Sequence, residues 1–164
     1  MRRQECLRHE WSEALKQEYE ILIFKQVLQV PYLYSAGPVV SRFLCALRDE
    51  KKILGIKCPK CGLVYVPPRA TCGKCFSEMS EWKELTGKGT LETFTVVNYQ
   101  EPTQPAKAPF ILGVIKLDGA DTGLPHLIGE ASEKDLSIGM QMEPVFQENR
   151  TGHILDIKYF KPIN

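Results

Sequence analysis

The spacing of hydrophobic residues changes character twice along the chain. Up to about Leu54 it is helical: Trp11, Leu15, Tyr19, Leu22, Ile23 and Val27 recur at steps of three and four and draw one apolar stripe. Ser12 is placed to cap that helix, and Pro31 stops the pattern. After the turn YSAGP, Pro38 can open a second helix with Val39, Val40, Phe43, Leu44 and Leu47 on its inner face. Two short helices cannot bury their own apolar faces, so the hairpin is expected to pack on a partner. From Leu85 onward the pattern becomes strand-like. Five runs predict strands: Thr90 to Asn98, Phe110 to Leu117, His126 to Ala131, Met140 to Phe146 and His153 to Phe160. Turn signals at Asp118-Gly119, Gly123, Gly139 and Asn149–Gly152 separate them. Gly87, Gly89 and Gly113, at or near strand positions, suggest the bends that coil a sheet on itself. Five short strands fit a small closed barrel of OB type, with a β sandwich as the competing architecture.

Between these regions, Leu54 to about Glu84 follows neither period and is organised by cysteine. Cys58-Pro-Lys-Cys61-Gly62 and Cys72-Gly-Lys-Cys75 are two CxxC turns with ten residues between them. Such a turn aims two thiolates at one ion, and a neighbouring Gly lets the backbone fold tightly around sulfur. Two turns supply four soft ligands, the set that favours tetrahedral Zn²⁺. Iron in a rubredoxin-like site is the lesser alternative, and a dithiol redox pair the least. Four cysteines leave no open coordination position, so the ion is expected to be structural, ordering a segment too short to build a core of its own. The expected division is therefore an N-terminal helical segment (1–54), a zinc ribbon (55–84) and an OB-type barrel (85–164), a mainly β chain with N-terminal helices.

Two stretches invite a contact reading. The inter-knuckle loop Tyr65-Val66-Pro67-Pro68-Arg69 carries Arg69 on a stiff support, close in sequence to Lys57, Lys60 and Lys74. These could meet a phosphate or carboxylate, or the loop could simply pack on the barrel through Tyr65 and Val66. The connection from Tyr99 to Pro109, with three prolines and Lys107, is a semi-rigid loop at a place where OB barrels often border a ligand. A solvated linker is the plainer reading.

Composition narrows the classes. The 164 residues are 43% hydrophobic and 25% charged, ordinary for a globular chain, and no apolar run reaches the ~20 residues of a membrane span. The first residues lack the apolar core of a secretory signal, so a cytoplasmic location is expected. In a reducing compartment four clustered cysteines read as a metal site, while Cys6 and Cys45 read as small apolar residues. Net charge is only +1, but residues 1–84 hold 14 Lys/Arg against 10 Asp/Glu and residues 85–164 hold 7 against 10. A net-negative barrel half would repel a polyanion, which counts against the nucleic-acid role common to zinc ribbons and OB barrels. No GxSxG, phosphate loop or HExxH is present, and His9, His126 and His153 stand apart.

The run PYLYSAGPVVSRFLCALRDEKKILGIKCPKCGLVYVPPRATCGKC, Pro31 to Cys75, resembles the acyl-CoA-associated zinc-ribbon/OB-fold family. Its most specific part is VYVPPRATC preceded by KILGIKC, and all four ligand cysteines are present. The resemblance implies a helical hairpin, a rubredoxin-like zinc ribbon and a C-terminal OB fold. It further implies an accessory role: a thiolase-like partner subunit holds the nucleophilic cysteine, while the zinc–OB subunit completes a hetero-oligomer and helps handle the CoA thioester. One branch serves cleavage of a benzoylsuccinyl-CoA-type substrate, another archaeal acetoacetyl-CoA and hydroxymethylglutaryl-CoA synthesis. A catalytically empty chain with a basic front half suits either.

Overall fold

The computed structural model describes residue 30 and residues 32–163. The first helix expected from the sequence lies outside the described residues. All that follows concerns the compact unit Ser35–Asn164.

Helix α1 runs Gly37–Glu50, with Pro38 in its first turn, where a missing amide proton costs nothing. It ends at Lys51, whose left-handed backbone (φ 56°) turns its N–H back onto the Ala46 carbonyl. Phe43, Ala46 and Leu47 are buried, one side of the turn. Val40, expected on that inner face, is 37% exposed, because the helix leans on its Ala46 side instead.

Strands β1 (Ile53–Lys57), β2 (Val64–Tyr65) and β3 (Glu81–Leu85) form an antiparallel sheet in the order β2-β1-β3. Ile56 pairs with Tyr65 on one side and Trp82 on the other. Alternation gives this sheet two different faces. Ile53, Val64, Val66 and Leu85 join the main core with α1 and the barrel. Ile56 and Tyr65 face the other way, into a small cluster with Cys58, Cys72 and Met79.

Strands β4 (Gly89–Val97), β5 (Phe110–Leu117), β6 (Gly123–Ile128), β7 (Gln141–Phe146) and β8 (Ile157–Pro162) close into a barrel in the order β4-β5-β6-β8-β7, β7 returning to β4. The β6–β8 contact is parallel and the other four antiparallel, the Greek-key closure of an OB fold. Its interior is filled by Leu91, Ile115, Leu124, Met142, Ile157 and Phe160, each essentially without exposure. A bulge between Leu91 and Thr93 re-aims β4. At Gly89 any Cβ would collide with the Lys116 backbone, and at Gly113 it would lie 2.5 Å from Ile128 Cδ1. Both glycines therefore permit the close strand approach that closure needs.

Two strand boundaries differ from expectation. β6 begins at Gly123, read from the sequence as a turn. The last strand begins at Ile157, not His153. Ile154–Asp156 instead form a one-turn 3₁₀ segment capped by His153, because the buried Asp156 carboxylate accepts the amides of Thr151 (3.0 Å), Gly152 (2.8 Å) and His153 (3.1 Å). Local side-chain bonding to backbone outcompetes the ladder there.

Candidate metal centre

Each CxxC turn is built by its own backbone. In the first, Gly62 N–H donates to the Cys58 carbonyl (2.9 Å) and Cys58 N–H to the Leu63 carbonyl (2.8 Å). In the second, Phe76 N–H donates to the Cys72 carbonyl (3.0 Å) and Cys72 N–H to the Ser77 carbonyl (2.9 Å). Amides also face sulfur: Cys61 N–H to Cys58 Sγ and Lys74 N–H to Cys72 Sγ, both 3.4 Å. The two knuckles meet so that all four Sγ atoms lie within 4.8 Å of one another. Cys58 and Cys72 are buried, Cys61 and Cys75 partly so.

Those four sulfurs test the metal reading on their own chemistry. The Ser77 hydroxyl, 3.2 Å from Cys58 Sγ and 3.0 Å from Cys75 Sγ, brings the Cys58 thiol down to about 5. The Tyr65 hydroxyl, 3.5 Å from Cys72 Sγ, brings Cys72 down to about 7. Cys61, although the Leu63 amide favours its thiolate, is pushed up to about 11 by burial and by the neighbouring sulfurs. So close a set cannot all ionise unaided; a divalent cation at its centre is what would allow it. The donor set is complete and contains no oxygen or nitrogen ligand, which fits a closed tetrahedral Zn²⁺ and leaves no place for a reactive water.

The second surroundings of the site were not legible in the sequence. Val64 N–H donates to Asp121 Oδ2 (2.8 Å), while Asp121 N–H returns to the Val64 carbonyl (2.8 Å). Val66 N–H donates to Thr122 Oγ1 (2.8 Å), whose hydroxyl donates back to the Val66 carbonyl (2.9 Å). Two reciprocal pairs thus fasten the inter-knuckle loop to the β5–β6 turn. Asp121, an acid in a turn, serves as a latch.

The expected contact residues are not assembled into one anion site. Lys57 is taken up by Glu81 (3.2 Å), an exposed pair worth about 0–1 kcal/mol. Arg69 folds back over the Tyr65 ring, its guanidinium 5.1 Å from the centroid, and so packs on the ribbon. Lys60 and Lys74 are exposed at the third position of each knuckle and form no ion pair among the described residues. Tyr99 (66% exposed) and Lys107 lie on the other candidate loop. That loop ties itself with glutamines: Ala108 N–H donates to Gln100 Oε1 (2.8 Å) and Glu101 N–H to Gln104 Oε1 (2.9 Å). It is an ordered projection, not a slack linker.

Ribbon, latch and five-stranded barrel together define a metal-ordered zinc-ribbon/OB-fold protein. Family models agree over most of this unit: residues 46–80 match the "ChsH2, rubredoxin-like zinc ribbon domain" and residues 82–147 the "ChsH2, C-terminal OB-fold domain". A DUF35 domain-containing scaffold protein from Methanocaldococcus jannaschii is 32% identical over 123 residues, covering 71% of this chain and 86% of the relative. One of the same description from Pyrococcus furiosus is 28% identical over 128 residues, covering 76% and 93%. The chain belongs to the DUF35 family. Two solved structures share its fold. A DUF35-family protein from Sulfolobus solfataricus is 20% identical with a TM-score of 0.57, covering 77% of this chain and 87% of that one. A chain of the Ltp2-ChsH2(DUF35) aldolase is 19% identical with a TM-score of 0.57, covering 79% and 98%.

Proposed function

We propose that this chain is a non-catalytic accessory subunit of an acyl-CoA enzyme complex of thiolase type. The observation that carries the reading is a closed four-thiol centre, with no open coordination position, on a ribbon latched to an OB-type barrel. Such a centre shapes a surface and performs no chemistry. In support, the curated relatives are described as scaffold proteins, and the aldolase structure pairs a DUF35 chain with an enzyme subunit in its name. In this reading the partner brings a nucleophilic cysteine, and the acyl-CoA thioester sits at or near the subunit interface. Lys60, Lys74, Lys107 and Tyr99 are the side chains left free to meet the phosphates and adenine of CoA, with Lys57 and Arg69 available only if they leave Glu81 and Tyr65. The compartment is the cytoplasm. Among the described residues no helix is long and apolar enough to cross a membrane, so the reading needs no bilayer.

The test is purification of the tagged chain from its native cells, followed by native mass spectrometry. A thiolase-like subunit in fixed stoichiometry is expected. Separated subunits should lose thiolysis and regain it on mixing. A chain that stays alone, or that turns over an acyl-CoA thioester unaided, would sink the reading.

A further inference from the structure

The two knuckles are near-repeats that differ at two positions, Pro59 against Gly73 and Gly62 against Phe76, and the second difference is instructive. The residue after the second cysteine must adopt a left-handed backbone in both. In CPKCG that residue is Gly62, at φ +77°, the type for which this region is free of cost. In CGKCF it is Phe76, at φ +57°. A bulky L-residue is an outlier in this region, because its Cβ crowds the following carbonyl. Phe76 is also 81% exposed, so its ring recovers almost no burial in exchange. Folding gains nothing visible from phenylalanine here: glycine, used at the matching position fourteen residues earlier, would serve the turn better. Strain at a position whose surroundings hold it in place marks a site of function more often than of stability.

We propose that Phe76 is an anchor that enters an apolar pocket, rimmed by carboxylates, on a folded partner protein. This rests on the accessory-subunit reading and names the surface it uses. The shape selects a protein over a small ligand. Small molecules need concavity from their receptor, whereas a ring this exposed projects, so the partner must supply the hollow. A rigid aromatic with two rotatable angles is the side-chain type that dominates interface energetics. It is held by the Cys72–Phe76 backbone bond, and an ion bound by both knuckles would hold it further, so little freedom is lost on docking. The rim follows from charge: Lys60 and Lys74 stand exposed at the knuckle tips without an ion-pair partner among the described residues.

Two arms test the anchor. First, Phe76→Gly should keep one zinc per chain and a Tm no lower than the parent. A lowered Tm or lost zinc would show that the ring is structural and overturn the proposal. Second, a benzophenone-bearing phenylalanine at position 76 is photolysed in the native cells, and the adduct peptide is sequenced. The expected adduct lies in an apolar pocket of another protein. That protein, once purified, should bind Phe76→Gly at least tenfold more weakly and Lys60→Glu/Lys74→Glu more weakly at low salt. Adducts within residues 1–29 of the same chain, on a second copy, or nowhere overturn the anchor. Unchanged affinity for the double charge reversal overturns the acidic rim. The two readings fail separately: an adduct on a protein unrelated to thiolases keeps the anchor and removes the thiolase role, and a thiolase-like subunit that co-purifies without an adduct does the reverse.

Discussion

Ribbon and barrel reach the folded state by different means. The barrel interior is a contiguous set of large aliphatic side chains with Phe160 at no exposure, the kind of core that stabilises a chain without help. On its outward face the ribbon buries Ile56, Tyr65 and Met79 around two buried cysteines, with Val39, Leu63 and Trp82 only partly buried against them. A cluster that small needs help to hold its segment, and one metal on the four sulfurs would take the place of a core. Yet the two are not independent. The sheet β2-β1-β3 turns Ile53, Val64, Val66 and Leu85 into the barrel-side core, and Asp121 and Thr122 bond the loop between the knuckles. Two sources of stability are thus joined through one thin sheet, which makes the joint the informative place to cut.

The largest effect should come from removing a ligand. Cys58→Ser or Cys72→Ser is expected to lower zinc from one per chain to near zero and to depress Tm by at least about 15 °C, read by metal analysis and calorimetry. A metal-free variant melting within a few degrees of the parent would show that the ribbon does not depend on the ion. Next, Phe160→Ala should cost about 3–5 kcal/mol in urea unfolding by emptying the barrel core, while zinc stays bound below the transition. Losing zinc at the same time as stability would mean the two regions share one cooperative unit even under that stress.

The joint itself should weigh less. Asp121→Ala with Thr122→Val removes three of the four latch bonds, at about 1 kcal/mol each. The revealing measurement is a comparison of zinc release with barrel unfolding as urea rises. The parent should show one transition by both probes, and the double variant should release zinc first. Coincident curves in the variant would locate the coupling in the apolar sheet face alone.

The smallest effect concerns His126, buried inside the barrel with Nε2 donating to the Ile154 carbonyl (3.2 Å) and Nδ1 accepting from Leu127 N–H (2.9 Å). Burial holds its pKa below the ordinary 6.5. The unfolded chain therefore binds the proton first, so stability is full above about pH 6.5 and declines as pH falls below it. Tm should drop slightly as pH falls from about 6.5 to 5, and His126→Gln, which can still donate to Ile154, should flatten that slope. An unchanged slope would assign it to another group.

Much of the architecture could be read directly along the chain. Three of the barrel strands, β4, β5 and β7, sat within a residue of their expected places because alternation is a local property, imposed wherever one face is buried. The gathering of four cysteines was equally plain, since CxxC spacing alone sets two sulfurs on one turn. The miss at His153 has a local cause that pattern does not weigh: one carboxylate, Asp156, collecting three amides. Phe76 is legible as the residue that stands where the first knuckle has Gly62, whereas the bonds of Ser77 to Cys58 and Cys75 exist only once the two knuckles meet.

What sequence determined by itself, then, is the set of short-range commitments: strand period, turn glycines and two CxxC hairpins. Tertiary structure alone decided which charges remain available. It spent Lys57 on Glu81 and Arg69 on Tyr65, made a latch of Asp121, and left Phe76 in the open. The physical reason is range. Periodicity and knuckle geometry act over a few residues, whereas an ion pair or a latch across 57 residues exists only once the chain has closed and brought its partners within reach.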